Sequence, residues 1–478
     1  MSLTQTPTMI YLDQTPKTRP TIDLEAQAVT PARPQLDASL SSKSQISPGG
    51  AYLNGPRGIA MLCVFNSHLF GAAHSFKDNS AWASTGLLGL VYASLIRLAD
   101  MGGNPAVCFF FILTGYVLSI SPLKALARSR RRQCRVKLLV GVLRRPMRLY
   151  PPVLIIAFFC ALLMQLPYNI FPGALWYTPQ DNLYLELCSF VRLTWEFFNP
   201  SRTVTAADHY AYDPVLWTIP LTLKGSVLVY TILMLLSFGP LSKPYVTGAL
   251  GGVTILLLHR AYWWEACFLA GTIIALLDSN IGGIAKLSSK QASSWKHRSL
   301  SYGAVVMSLY LLSAPSYDGH PELAKSIRGW DFLIVHIPSS YTVLDYYRFW
   351  HSYGAFILIC GLQHTSTIQQ LLDTAPFQYL GYVSFMAYAI HLPFFLCVGD
   401  RWRRVLGTVP YMAEPTWYDN LISVPEWGPS ALTLRAFVTY NSILAMVLAV
   451  AHWTTRYIDE PCGRLCKTIG QGLEGHGQ

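Results

Sequence analysis

Beyond the first 50 residues the chain alternates ten long apolar stretches with polar connections as far as residue 453. They lie near 57–74, 105–121, 150–168, 214–238, 246–262, 263–278, 299–315, 350–365, 378–398 and 431–453. Each has roughly the length a helix needs to cross a bilayer, or nearly so. The pattern predicts an all-α polytopic membrane protein with about ten transmembrane helices. The stretch 81–99 is ambiguous: it is of about minimum length, rich in Gly, Ser and Ala, and carries Arg97 near its end. It reads either as a further span or as a re-entrant or interfacial helix, and the parity of all that precedes it depends on which.

Residues 1–50 are Thr-, Ser- and Pro-rich, with no apolar core of a signal peptide. They are expected to form a disordered cytosolic tail, leaving the first span to act as the targeting signal. The expected organisation is this tail, a transmembrane domain over 51–464, and a short polar C-terminal tail over 465–478.

Composition narrows the class. Only 13% of the 478 residues are charged and 52% are hydrophobic, against about 25% charged in soluble domains. Too little charge remains to cover a globular surface, so the lipid bilayer is the expected partner. The formal charge is +11, and ten basic residues with no acidic one lie between Lys124 and Arg148. Wedged between apolar stretches, this run reads as a membrane-side loop, for topology or an anionic ligand, and not as a nucleic-acid tail. With both termini cytosolic, that side holds 18 Lys/Arg beyond the tail and the opposite side 11. The positive-inside rule therefore favours this orientation, although Arg401, Arg403 and Arg404 oppose it. Of the ten cysteines, six sit inside apolar runs and none has metal-site spacing, so no metal is expected.

Ionisable side chains inside spans are costly and point to function. Arg57 opens the first span and His68 follows eleven residues later. Eleven residues at 100° fall within about 20° of three full turns, so the two share a helix face, roughly 16 Å apart. A cation at the water boundary above a mid-membrane imidazole suits a long anionic substrate whose reactive end reaches inward. A topological anchor and a packed histidine would satisfy the same spacing. Arg145 and Arg148, at i and i+3, face one way and can bracket phosphates, or serve as a plain anchor. Thr114-Gly115, in CFFFILTGY, allows close helix approach and offers a hydroxyl inside the membrane. His391, mid-span in an aromatic helix, is a second proton-handling candidate. Glu460 reads as a capping or salt-bridge residue. His74 and Asp78 are spaced H-x3-D, which sets H-x4-D acyltransferase chemistry aside.

Arg-x10-His, Phe-Phe-x-x-Thr-Gly and Arg-x-x-Arg-x-Tyr-Pro occur in that order. Leu216-Trp217-Thr218-Ile219-Pro220, the Tyr379 to His391 stretch and Asp459-Glu460-Pro461 come after them. From about Ala51 to Arg464 this ordered set resembles the acyltransferase 3 family of integral-membrane acyl-CoA-dependent O-acyltransferases, in its fungal style. The resemblance implies cytosolic acyl-CoA, most often acetyl-CoA, as co-substrate, with no permanently bound cofactor. It implies Arg57, Arg145, Arg148 and Thr114 as acyl-CoA-binding residues, and His68 and His391 as catalytic ones. The expected acceptor is a small-molecule alcohol of lipophilic character, such as a terpenoid or polyketide. The expected location is the endoplasmic reticulum or another endomembrane. Two departures stand out: Thr114 replaces the usual Ser, and Thr222 and Lys224 stand where related fungal sequences carry Glu and Arg. Open alternatives are a glycan acceptor reached across the membrane, and a transporter or flippase of anionic or proton-coupled substrates.

Overall fold

A computed structural model describes residues 52–73, 94–166, 177–202, 208–239, 243–280, 295–317, 319–327, 329–409, 414–428 and 433–475. The expected N-terminal tail, His74, Asp78 and most of the 81–99 stretch lie outside them. Among the described residues the fold is all-helical, without strands. Helices occupy all ten predicted stretches. They are α1 (Asn54–Ala73), α3 (Gly103–Ala127), α4 (Arg131–Met164), α6 (Thr218–Phe238), α7 (Lys243–His259), α8 (Trp263–Asn280), α9 (Trp295–Leu312), α10 (Arg348–Leu362), α11 (Ala375–Phe394) and α12 (Leu434–Thr454). The short α2 (Ser94–Met101), α5 (Leu183–Phe198) and the C-terminal α13 (Glu460–Gly475) complete the set used below.

Five of the ten, those containing α3, α4, α6, α11 and α12, are long and apolar enough to cross a membrane. The remaining five are shorter or more polar, which narrows the expected count of about ten. The reason lies in their residues: α1 carries Asn54, Arg57, Asn66, Ser67 and His68, α9 opens on Lys296-His297-Arg298, and α10 has only 15 residues.

Other boundaries also move. The basic run is not a loop: α3 continues to Ala127 and α4 starts at Arg131. The connection is a tight turn in which Ser129 adopts φ 59°. Arg and Lys are good helix formers, so the run extends the span into the polar phase. The polar tail after residue 464 is likewise helical, as the second half of α13.

The helices pair through direct contacts that set their directions. Arg145 meets Ser226 and Gly141 meets Tyr230, so α4 and α6 run antiparallel. Gly354 meets Leu312 and Gly361 meets Val305, so α9 and α10 do too. α12 returns along α11, with His452 beside Tyr379 and Ser442 bonded to Trp402. α1 and α11 are parallel: Asn54 bonds Gln378 at one end, and His68 faces His391 further on.

Two of the three arginines that oppose the expected orientation are tied down by carboxylates, and Arg401 donates to the Cys397 carbonyl. Arg403 pairs with Asp400 at 2.6 Å, and Arg404 holds Asp419 through two hydrogen bonds of 2.7 and 2.9 Å. That contact keeps the Asp419 carboxyl below the usual carboxylate range. Arg97 is 2% exposed and donates to the Ser313 carbonyl at 2.6 Å beside Trp330. Trp330, Tyr346 and Tyr347 pack with Ala324, Ile327 and Ile334 into a small core of their own.

Candidate functional site

Two layers of polar groups lie inside the bundle. The first, the rim, sits at the end where α1 and α11 begin. Arg57 of α1, Arg145 and Arg148 of α4, and Asp459 are close enough there to feel one another's charge. Arg148 makes a two-pronged ion pair with Asp459, its second nitrogen 2.8 Å from Oδ2. Arg145 donates through Nε to Ser226 Oγ at 2.9 Å and makes no ion pair among the described residues. Arg57 only grazes Asn54 Oδ1 at 3.5 Å. The two arginines that i,i+3 spacing placed on one face therefore have different tasks. Arg148 is committed to a carboxylate, while Arg57 and Arg145 make no ion pair among the described residues.

Asp459 reaches Arg148 because α12 ends in a single π-helical turn, Thr455–Asp459. The extra residue in that turn rotates the start of α13 about the helix axis, and such turns are common at functional sites. Glu460, next in line, accepts from Tyr382 at 3.0 Å and pairs with Arg464 at 3.5 Å, a structural role. Replacing Asp459 by alanine would leave Arg148, whose side chain is 29% exposed, without its counter-charge. Between the limits for exposed and buried pairs, the expected loss is about 2 kcal/mol of stability, read as a lower melting temperature in detergent.

The second layer is about 15 Å deeper by helix rise. His68 and His391 face each other there, ring centroids 5.1 Å apart and planes inclined at 46°. His391 is 2% exposed, whereas His68 is half-buried. His391 Nδ1 lies 2.7 Å from the Tyr388 carbonyl oxygen. A carbonyl only accepts, so Nδ1 carries the proton and Nε2 presents a lone pair. Nε2 is buried and has no hydrogen-bond partner. Tyr388 is held in turn: its hydroxyl bonds the Val215 carbonyl and lies 2.7 Å from Thr218 Oγ1. The Leu216-Trp217-Thr218 motif is thus tied to the turn of α11 that carries His391.

A glycine pair sets the register of the imidazoles. Cβ atoms built on Gly58 and Gly381 would stand 2.4 Å from Leu380 Cβ and 2.3 Å from the Asn54 carbonyl oxygen. No side chain fits at either position, so α1 and α11 touch backbone to backbone. Ten residues further along each parallel helix come His68 and His391 (58 to 68 and 381 to 391), at equal height.

Thr114 is half-buried on α3 and makes no hydrogen bond to the arginines or histidines among the described residues. Its neighbour Gly115 performs the close approach, since a Cβ there would stand 2.2 Å from Phe268 O on α8. Thr222 donates to the Thr218 carbonyl at 2.8 Å, and Lys224 reaches the Arg202 carbonyl. Both departures therefore serve main-chain bonds. Along the π-helical turn that follows α11, Phe395–Gly399, and the helix after it, a groove of about 350 Å³ is lined by Cys397, Val398, Arg401, Trp402 and Val405. Among the described residues no three His, Cys, Asp or Glu side chains form a metal-binding group.

Sequence reasoning missed the partners in this arrangement: Asp459 for Arg148, Ser226 for Arg145, and Tyr388 as the orienter of His391. Asp459 and Tyr388 fall within recognised motifs, but their roles arise from pairs up to 311 residues apart.

The family model Acyl_transf_3, described as an acyltransferase domain, matches residues 51–450. The chain is 29% identical over 456 residues to the O-acetyltransferase PaAT-1 of Phomopsis amygdali, covering 88% of this chain and 85% of that one. It is 23% identical to the acyltransferase clz18 of Cochliobolus lunatus, covering 88% and 96% of the two chains. No solved structure matches the chain. With a family model spanning most of its length and fungal acyltransferases among its relatives, the chain belongs to the acyltransferase 3 family.

Proposed function

We propose that the protein is a membrane-embedded O-acyltransferase that moves an acyl group, acetyl first among them, from acyl-CoA to a hydroxyl of a small lipophilic acceptor. One observation carries the reading: a rim of arginines and a facing imidazole pair lie at two levels of the bundle, joined by Arg57 and His68 on one stripe of α1. The phosphates of the acyl-CoA bind at the rim, chiefly to Arg57 and Arg145, which make no ion pair among the described residues. The pantetheine arm runs inward and brings the thioester to the imidazoles. The rim is the cytosolic face in this reading, with both termini in the cytosol and the protein in the endoplasmic reticulum or another endomembrane. Acetyl transfer is favoured by the name of the relative from Phomopsis amygdali. The apolar groove beyond His391 favours a small lipophilic acceptor, for which a terpenoid or polyketide alcohol is the natural class.

His68, the more accessible imidazole, takes the proton of the attacking alcohol. The alcohol oxygen forms a bond to the thioester carbonyl carbon, the C–S bond breaks, and the departing thiolate recovers the proton from His68. His391 orients His68. The ring centroids stand 5.1 Å apart, and Nε2 of His391, without a partner among the described residues, is the atom free to accept an N–H from His68 once the ring turns toward it.

The test is purified protein with labelled acetyl-CoA and a panel of lipophilic alcohols. Labelled ester, or acetyl-CoA hydrolysis, supports the enzyme. Vectorial uptake in vesicles without acyl chemistry overturns it in favour of a carrier. In the same assay Arg145→Ala is expected to raise KM for acetyl-CoA about tenfold with kcat little changed, consistent with loss of one charge-assisted phosphate contact. An unchanged KM would make Arg145 a topological anchor.

A further inference from the structure

The two fully buried carboxyl groups of the 177–213 region are treated in opposite ways. Glu186 is 0% exposed and fully satisfied. It accepts from Tyr212 and Tyr177 hydroxyls at 2.7 and 2.9 Å, from Gln165 at 3.1 Å and from the Gln180 N–H at 2.7 Å. Asp213 is also 0% exposed, yet it accepts only from the Val215 N–H, through Oδ1 at 3.3 Å. Its Oδ2 is buried and has no partner among the described residues.

An isolated carboxylate so buried is costly, and no charged side chain among the described residues is close enough to offset it. The titratable groups that face it are Tyr388 of α11, Cys160 of α4 and Tyr210 of its own segment, all uncharged at neutral pH. The group is therefore carried as the neutral acid, with an O–H to donate. Its segment is linked to the deep layer through Tyr388. Two residues on, Val215 accepts from the Tyr388 hydroxyl, and the Tyr388 carbonyl fixes His391.

We propose that Asp213, through Oδ2–H, is the hydrogen-bond donor for the carbonyl oxygen of the transferring acyl group. This rests on the acyltransferase reading above. When the alcohol oxygen attacks, the carbonyl π electrons move onto that oxygen, and the Asp213 proton stays on the carboxyl while stabilising the charge. The electrons return as the C–S bond breaks, so Asp213 is unchanged at the end of the cycle. A donor already in place, in a dry site, acts more strongly on the transition state than on the ground state.

The experiment uses full-length protein with acetyl-CoA, following hydrolysis and transfer to geraniol, with Asp213→Ser and Asp213→Asn. Ser caps the adjoining 3-10 turn as well as Asp does, and Asn both caps it and can donate. Asp213→Ser is expected to lower kcat about 100- to 1,000-fold with KM and melting temperature unchanged, while Asp213→Asn keeps most of kcat. Infrared difference spectra should show a protonated carboxyl band that shifts on adding acetyl-CoA and is missing from both variants. Full activity in Asp213→Ser makes the residue a cap alone and overturns the proposal, as does an ionised or unresponsive carboxyl. Should neither variant fold, the wild-type infrared response decides. Wild-type protein without acyl chemistry overturns the enzyme reading and this one together; active wild type beside active Asp213→Ser overturns this one alone.

Discussion

His68→Ala is expected to lower the rate of acyl transfer by about 100- to 10,000-fold while leaving the melting temperature and acetyl-CoA binding close to wild type. That range is what a positioned general base contributes, and corresponds to about 3–5 kcal/mol of barrier. Truncating a half-buried imidazole removes little packing, so the loss should fall on kcat. The neighbouring histidine supplies the contrast. His391 has its Nδ1 proton engaged by the Tyr388 carbonyl and only Nε2 available. If its task is to orient His68, His391→Ala should lose less than His68→Ala, and the double variant little more than His68→Ala alone. Independent losses that multiply in the double variant would show two separate roles. Near-normal turnover in His68→Ala would remove it as the base.

Much of this was legible along the chain, and the remainder was not, for physical reasons. Local periodicity is enough to place helices and faces: Arg57 above His68 on one stripe of α1 follows from 100° per residue. Helix positions in all ten apolar stretches follow from composition. What escapes is whatever a distant segment decides. Arg145 and Arg148 share a local face, yet one is drawn to Ser226 and the other to Asp459. The π-helical turns after α11 and α12 have no local sequence signal, because packing selects them. The two histidines, 323 residues apart, carry no mark of being neighbours until α1 and α11 are known to be parallel. Arg404 stood as an exception to the charge rule until Asp419 supplied its partner. Nothing in the residues around Asp213 reveals that its carboxyl is buried.

Gly381→Val is expected to damage both stability and catalysis, and more than any change to the rim. The first added carbon would lie 2.3 Å from the Asn54 carbonyl oxygen and 2.7 Å from its carbonyl carbon. Those are backbone atoms of α1, which cannot swing aside as a side chain would. The clash is relieved only by moving α11 away from α1 by about 1 Å, toward ordinary carbon contact distance. Overpacking of this kind typically costs about 1–3 kcal/mol, and the contact's backbone nature puts it at the upper end. The catalytic effect should be larger still. His391 lies ten residues beyond Gly381 and His68 fourteen beyond Asn54 on parallel helices, so a displacement at Gly381 is carried to the ring pair with no flexible joint between. A misplacement of about 1 Å in a catalytic constellation can cost about 100-fold in rate. Thermal melts in detergent and turnover below the variant's melting range separate the two losses. A folded Gly381→Val protein with undiminished kcat would mean that the spacing of α1 and α11 does not govern the imidazole pair. The reading of those histidines as one device would then fail, even with each of them individually essential.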